Sequence, residues 1–126
     1  MQKDKLERTF SLVLDACFKV HSALGPGLLE SAYEACLSYE LRKIGLNVKS
    51  QLSLPIVYDG LKIDAGYRID LLVEDEIIVE LKAVEELNSV HLAQVLTYLK
   101  LSDKKLGLLV NFNVNLLKHG IKRVIN

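Results

Sequence analysis

The stretch Tyr67 to Val84, YRIDLLVEDEIIVELKAV, constrains this chain more than any other. Two runs rich in isoleucine, leucine and valine, Tyr67–Val73 and Ile77–Ala83, flank an acidic turn, Glu74-Asp75-Glu76. Such composition predicts two half-buried strands joined as a hairpin. Three charges interrupt the apolar pattern: Asp70 in the first run, Glu80 and Lys82 in the second. An unpaired charge is costly to bury, so charges inside strands that must pack need a reason. Side chains alternate faces along a strand, which puts Glu80 and Lys82 on one face. A three-residue loop sets Val73 opposite Ile77 and Asp70 opposite Glu80, and directly opposed residues share a face. Asp70, Glu80 and Lys82 then cluster, with Leu72 and Ile78 on their face. The other face is wholly apolar, with Ile69, Leu71, Val73, Ile77, Val79 and Leu81. A two-residue loop would slip the register by one and send Asp70 to the opposite face.

Two carboxylates beside an ammonium admit two readings. One is a surface hairpin tied by cross-strand ion pairs of small value. The other is a site for a hard divalent cation, which takes one or two carboxylates plus water and phosphate oxygens. Such an ion lowers the pKa of water and neutralises charge developing on phosphorus.

At 126 residues, half of them hydrophobic and a quarter charged, the chain is expected to form one domain, residues 1–126, with a substantial core. No apolar run reaches membrane-spanning length, and MQKDKLERTF has no signal-peptide core, so a cytoplasmic protein is expected. Cys17 and Cys36 stand outside any CxxC pattern and read as reduced core residues. His21, His91 and His119 are scattered, which speaks against a zinc site. The net charge is zero, but from Lys100 onward six basic residues face only Asp103. A basic end beside an acidic metal site would suit a phosphate-rich ligand; it is equally what a solvated surface looks like.

Along the chain, Leu6, Phe10, Val13, Leu14, Cys17, His21 and Leu24 recur at helical spacing and predict a helix over residues 3–24. Gly25-Pro26-Gly27 breaks it. A second helix is expected from Leu28 to Ile44, with Leu29, Tyr33, Cys36, Leu37, Leu41 and Ile44 as its stripe, stopped by Gly45. Glu30, at its start, borders that stripe; an acid there also suits the helix dipole. Val48 to Tyr58 alternates, with Pro55 marking an edge or a strand end. Leu61 to Ala65 is expected to extend the sheet. A helix over Ser89–Leu101 should pack through Val90, Ala93, Leu96, Tyr98 and Leu101. Lys105–Phe112 reads as a buried strand, and Val114–Ile125 as a strand or a helical turn plus strand. The order α-α-β-β-β-α-β predicts an α/β fold, a mixed sheet flanked by helices.

This order, with Asp70 and Glu80-Leu81-Lys82 on adjacent core strands, resembles the PD-(D/E)XK nuclease superfamily and its restriction-endonuclease-like fold. Within it the chain resembles the GxxExxY family, whose motif stands here as Gly27-Leu28-Leu29-Glu30-Ser31-Ala32-Tyr33. The stretches YRIDLLV, IIVELKAVEEL, HLAQVLTYLKL and GLLVNFNV look like that family in the same order. The likeness spans nearly the whole chain; each motif is weak alone, and the order makes it specific. Ile69 stands where the superfamily's name has proline, a position at which proline is commonly absent.

The resemblance implies a role for each matching residue. Asp70 and Glu80 would be metal ligands, joined by the backbone carbonyl of Leu81. Lys82 would stand beside the attacking water. Glu30 would reach the metal directly or through water. Gln94 and Tyr98 resemble the Gln-x-x-x-Tyr helix motif of RecB-like nucleases and share a helix face. His91, one turn earlier, is either a third member of that group or a structural residue. The implied function is Mg2+-dependent hydrolysis of phosphodiester bonds in nucleic acid, DNA before RNA, with Mn2+ as a substitute and a homodimer as the arrangement that cuts both strands. The competing class is a non-catalytic nucleic-acid-binding or protein-interaction module on a nuclease fold. A metal-dependent hydrolase of a small phosphorylated molecule is a third.

Overall fold

A computed structural model describes residues 2–126. Helix α1 spans Lys3–Leu24 and α2 spans Glu30–Lys43. Strands β1 (Val48–Ser53), β2 (Ile56–Tyr58), β3 (Leu61–Ile63), β4 (Arg68–Val73) and β5 (Ile77–Lys82) follow. Helix α3 (Ser89–Ser102) leads to β6 (Leu106–Asn111), a 3-10 turn (Leu117–Gly120) and β7 (Ile121–Ile125). The main sheet has the order β1-β4-β5-β6-β7. All its pairs are antiparallel except β5 with β6, which α3 connects as a crossover.

Both sheet faces are covered, so two apolar layers form. Phe10, Val13 and Cys17 of α1 and Tyr33, Leu37 and Leu41 of α2 pack on Leu71, Val73, Ile77, Val79, Leu81, Leu108 and Val110. On the other face Val95, Tyr98 and Leu99 of α3 meet Ile69, Leu72, Ile78, Leu109 and Val124. Burial on both sides explains why β6 is apolar without alternation, every residue from Leu106 to Asn111 being buried. Gly107 lets α3 approach closely: a Cβ there would lie 3.0 Å from Val95 Cγ1 and 3.4 Å from the Ile78 carbonyl.

Several expectations need correction. Leu61–Ile63 does not extend the main sheet; it pairs with Ile56–Tyr58 in a separate two-stranded hairpin. Pro55, which lacks an N–H, sits where β1 ends, and the chain leaves the main sheet there. Ile69 packs beneath α3 rather than with Leu71. The simple alternation breaks between them, where Gln51 on β1 has a left-handed backbone (φ +51°) opposite Asp70. Helix α3 packs through Val95, Tyr98 and Leu99, with Leu96 as expected partly buried against them, while Val90 is 70% exposed. That helix is apolar nearly all round, so its periodicity selects no single stripe. Leu24, Leu29 and Ile44, at helix ends, are exposed.

Of the two readings of the basic tail, Lys104 and Arg123 follow the solvated-surface one. The β5–β6 register sets Ile77 beside Leu106 and Lys82 beside Asn111. Lys104 therefore sits at the acidic-turn end of β5, where its Nζ lies 3.7 Å from Asp75. Arg123 pairs with Glu7 and lies over the Phe10 ring. Among the described residues no helix is long and apolar enough to cross a membrane.

Candidate active site

The hairpin closes as the three-residue loop requires, with Val73 paired to Ile77, Leu72 to Ile78 and Leu71 to Val79. Glu74 and Asp75 take left-handed backbone angles, and the Glu76 amide donates to the Val73 carbonyl at 3.0 Å. Beyond Leu71 and Val79 two side-chain bonds take over. The Asp70 amide donates to Glu80 Oε1 at 3.0 Å, and the Leu81 amide donates to Asp70 Oδ2 at 2.9 Å. Each carboxylate is thus held by a backbone N–H of the region that carries the other. Glu80 is 3% exposed. Burial, and next the Asp70 charge, push its carboxyl up to about 9. Burial disfavours the charged form, and a second carboxylate alongside adds to that.

Glu30 reaches this place from α2, and Tyr33 fixes the approach. The fully buried Tyr33 stacks on Phe112 at 4.6 Å between centroids. Its hydroxyl donates to the Gly25 carbonyl at 2.6 Å and accepts from the Leu28 amide at 3.1 Å. One phenol therefore clasps the Gly-Pro-Gly turn that leads into the helix, three residues after Glu30. The Glu30 carboxyl is raised mainly by burial, with Asp70 acting the same way. The Lys82 ammonium, the Ala83 amide and His91 pull it back down. Glu30 therefore stands over the end of β5.

Helix α3 supplies the third wall. Asn88 caps it, accepting from the Val90 amide at 3.0 Å and the His91 amide at 3.1 Å. His91 Nδ1 accepts in return from the Asn88 amide at 3.1 Å, which closes a capping box. His91 is thus a cap rather than a partner of Gln94. Gln94 Nε2 donates to the Tyr98 hydroxyl at 3.2 Å. The Tyr98 phenol is raised by burial first, then by Glu80, Tyr67 and Asp70, so it faces the acids. The segment after Lys82 is clamped by the buried Asn111. Its Oδ1 accepts from the Val84 amide at 3.1 Å, and its Nδ2 donates to the Val84 carbonyl at 2.9 Å.

The structure thus brings Asp70, Glu80, Lys82, Glu30 and Tyr98 to one end of the sheet, with Gln94 behind Tyr98. Leu81 takes part through its amide. Lys82 is half-buried and joins no ion pair among the described residues. Four contributors escaped the sequence reading as site elements: Glu34, Gln51, Asn111 and the Tyr33 hydroxyl. Glu34 was findable, since it lies four residues after Glu30 on the same helix face. Gln51 needs the β1–β4 register. An open cleft of about 490 Å³, lined by Leu29, Glu30, Ser31, Glu34, Gln51 and Asp70, leads to the acids.

Among the described residues no three His, Cys, Asp or Glu side chains close into a cage for an ion. The donor chemistry nonetheless fits a hard divalent cation, which needs only one or two carboxylates and fills its shell with water and phosphate oxygens. Glu80, whose carboxyl is raised by burial and then by Asp70, would give up its proton to solvent on taking such an ion.

The family model of the PD-(D/E)XK nuclease superfamily matches residues 7–124, and the chain belongs to that superfamily. Its five-stranded mixed sheet flanked by helices is consistent with a restriction-endonuclease-like fold. No curated protein and no solved structure matches the chain significantly. Membership points to nuclease activity on nucleic acid, a chemistry these proteins typically run with divalent metals.

Proposed function

We propose that this chain is a Mg2+-dependent nuclease, with Mn2+ as a substitute, that hydrolyses phosphodiester bonds in DNA before RNA. The interlocked Asp70–Glu80 pair, with Lys82 two residues on, carries the proposal. Asp70 and Glu80 would hold the ion, with Glu30 and the Leu81 carbonyl as further donors. The ion, when bound, supplies a more acidic water and offsets charge developing on phosphorus.

The remaining work falls to the chain's own groups. The Lys82 ammonium orients the attacking water and stabilises the charged transition state. Its proximity to Glu30 and Glu80 keeps it at the acids, and its lack of an ion pair among the described residues leaves its N–H groups for a phosphate. The Tyr98 hydroxyl, held by Gln94, steadies the carboxylate side of the site. Tyr33 holds the turn before α2 and so sets where Glu30 stands. The Gly27–Tyr33 run supports the narrower placement in the GxxExxY family. Pairing of two chains would place two such sites on a duplex.

The test is cleavage of labelled single- and double-stranded DNA and RNA panels, with Mg2+ and with Mn2+, by wild type and Asp70→Ala. Ion-dependent cleavage by wild type, absent in a folded Asp70→Ala, is the expected result. Binding of nucleic acid with no cleavage on any panel would place the chain among non-catalytic modules instead.

A further inference from the structure

Gln51 has no part in the roles above, yet its side chain lies against one of the proposed ligands. Its Nε2 donates to Glu34 Oε1 at 2.7 Å and to Asp70 Oδ1 at 3.2 Å. The other Asp70 oxygen, Oδ2, accepts from the Leu81 amide. Both oxygens of Asp70 are therefore fixed, one by β5 and one by Gln51. The backbone is shaped for this contact. Gln51 lies within β1 between the pairs Ser50–Leu71 and Leu52–Ile69, yet has φ +51°. Left-handed angles are uncommon for residues other than glycine, and such outliers gather at functional sites.

From this geometry we infer that Gln51 is a positioning residue for the Asp70 carboxylate, and that Glu34 positions Gln51. The inference rests on the nuclease reading above. A glutamine amide can turn either its nitrogen or its oxygen toward a neighbour. Glu34, an acceptor, selects the nitrogen, and that same nitrogen then donates to Asp70. Because the donor is neutral, it fixes the carboxylate without cancelling the charge that attracts a cation. A lysine in its place would neutralise Asp70 and compete with the ion. Groups that orient a metal ligand typically change metal affinity by ~10–100-fold when removed.

The test uses Gln51→Gly and Gln51→Asn. Glycine takes the left-handed backbone freely and asparagine tolerates it better than most residues, so both variants should fold. Asparagine keeps the amide but lacks the reach to bridge two carboxylates. Calorimetric titration with Mn2+ and cleavage against Mn2+ concentration are measured on the full chain. Both variants are expected to need about tenfold more Mn2+ for half-saturation in either assay. At saturating ion, kcat and the KM for nucleic acid should return to within about threefold of wild type. Glu34→Ala should shift half-saturation the same way by a smaller factor. Unchanged half-saturation in Gln51→Gly and Gln51→Asn, beside a wild type that binds Mn2+ and cleaves, overturns the role of Gln51 alone. A wild type that neither binds Mn2+ nor cleaves overturns the nuclease reading, and this role with it.

Discussion

Glu80→Gln should stabilise the metal-free protein at mildly alkaline pH while abolishing its activity. The Glu80 carboxyl is pushed up to about 9 from an ordinary 4.5, with burial the larger cause and Asp70 the next. A raised carboxyl means that the fold favours the protonated form. That stabilisation is complete below the unfolded value and is lost as pH rises through the folded one. Near pH 8, each unit above the ordinary value costs the metal-free fold about 1.4 kcal/mol, a ceiling of ~5 kcal/mol. Local relaxation and water penetration lower the cost of a buried charge below that ceiling, so about 2–3 kcal/mol is the expected size. Glutamine mimics the protonated acid: its Oε1 still accepts from the Asp70 amide, and its Nε2 can donate to the Asp70 carboxylate. For a domain of this size such a gain raises Tm by about 6–15 °C. The assay is thermal unfolding in chelator at pH 8 and at pH 5. The variant should exceed wild type at pH 8 and converge with it at pH 5. Added Mg2+ should raise the wild-type Tm and leave the variant unmoved. A variant that melts below wild type by the same amount at both pH values would refute the reasoning.

Other consequences are equally open to measurement. Tyr33→Phe keeps the stack on Phe112 but removes the hydroxyl that joins the Gly25 carbonyl to the Leu28 amide. It should cost about 1–3 kcal/mol in urea unfolding and lower cleavage by roughly tenfold through a loosened Glu30. Gly120→Ala sets a Cβ 2.2 Å from the Asn111 carbonyl oxygen, backbone that cannot step aside. Because Asn111 clamps Val84, a loss of about 2–4 kcal/mol in denaturant unfolding should accompany weaker activity. Burial pushes the Cys17 thiol up to about 12, so it should resist iodoacetamide in the native state at neutral pH and react once unfolded. Rapid native-state alkylation at Cys17, located by peptide mass, would contradict the burial.

The acidic hairpin was legible because two strands of matched composition meet over a short loop. The apolar face favoured a hairpin but left its register open; the structure takes the three-residue loop, and with it the meeting of Asp70 and Glu80. The helices α1 and α2 were legible from spacing, with Phe10, Val13, Cys17, Tyr33, Leu37 and Leu41 buried where the stripes ran. Their outermost apolar residues, Leu24, Leu29 and Ile44, were not, since helix ends project past the sheet they pack on. Gln51 could not be read locally. Its partners lie 17 and 19 residues away, and its left-handed backbone has no glycine to announce it. The tail's positive charge left two readings open, because a linear count does not say which end of a sheet a lysine occupies: Lys122, paired with Leu109, lies level with Glu80. Lys104 lies by Asp75, at the other end of β5 from Lys82. Tyr33 was legible as part of a motif and as core, but the work of its hydroxyl appears only when the Gly25–Leu28 turn is folded against it.

In the proposed site Asp70 and Glu80 hold an ion beside which Lys82 acts on water. The most direct test is the initial rate of nucleic-acid cleavage against Mn2+ concentration for wild type, Asp70→Asn and Lys82→Ala. Wild type should saturate. Lys82→Ala should saturate at a similar ion concentration with a plateau about a hundredfold lower or more, the mark of a group acting in the transition state. Asp70→Asn should give no saturation over the same range. Cleavage by both variants at the wild-type rate, or none by wild type at any Mn2+ concentration, would contradict the claim.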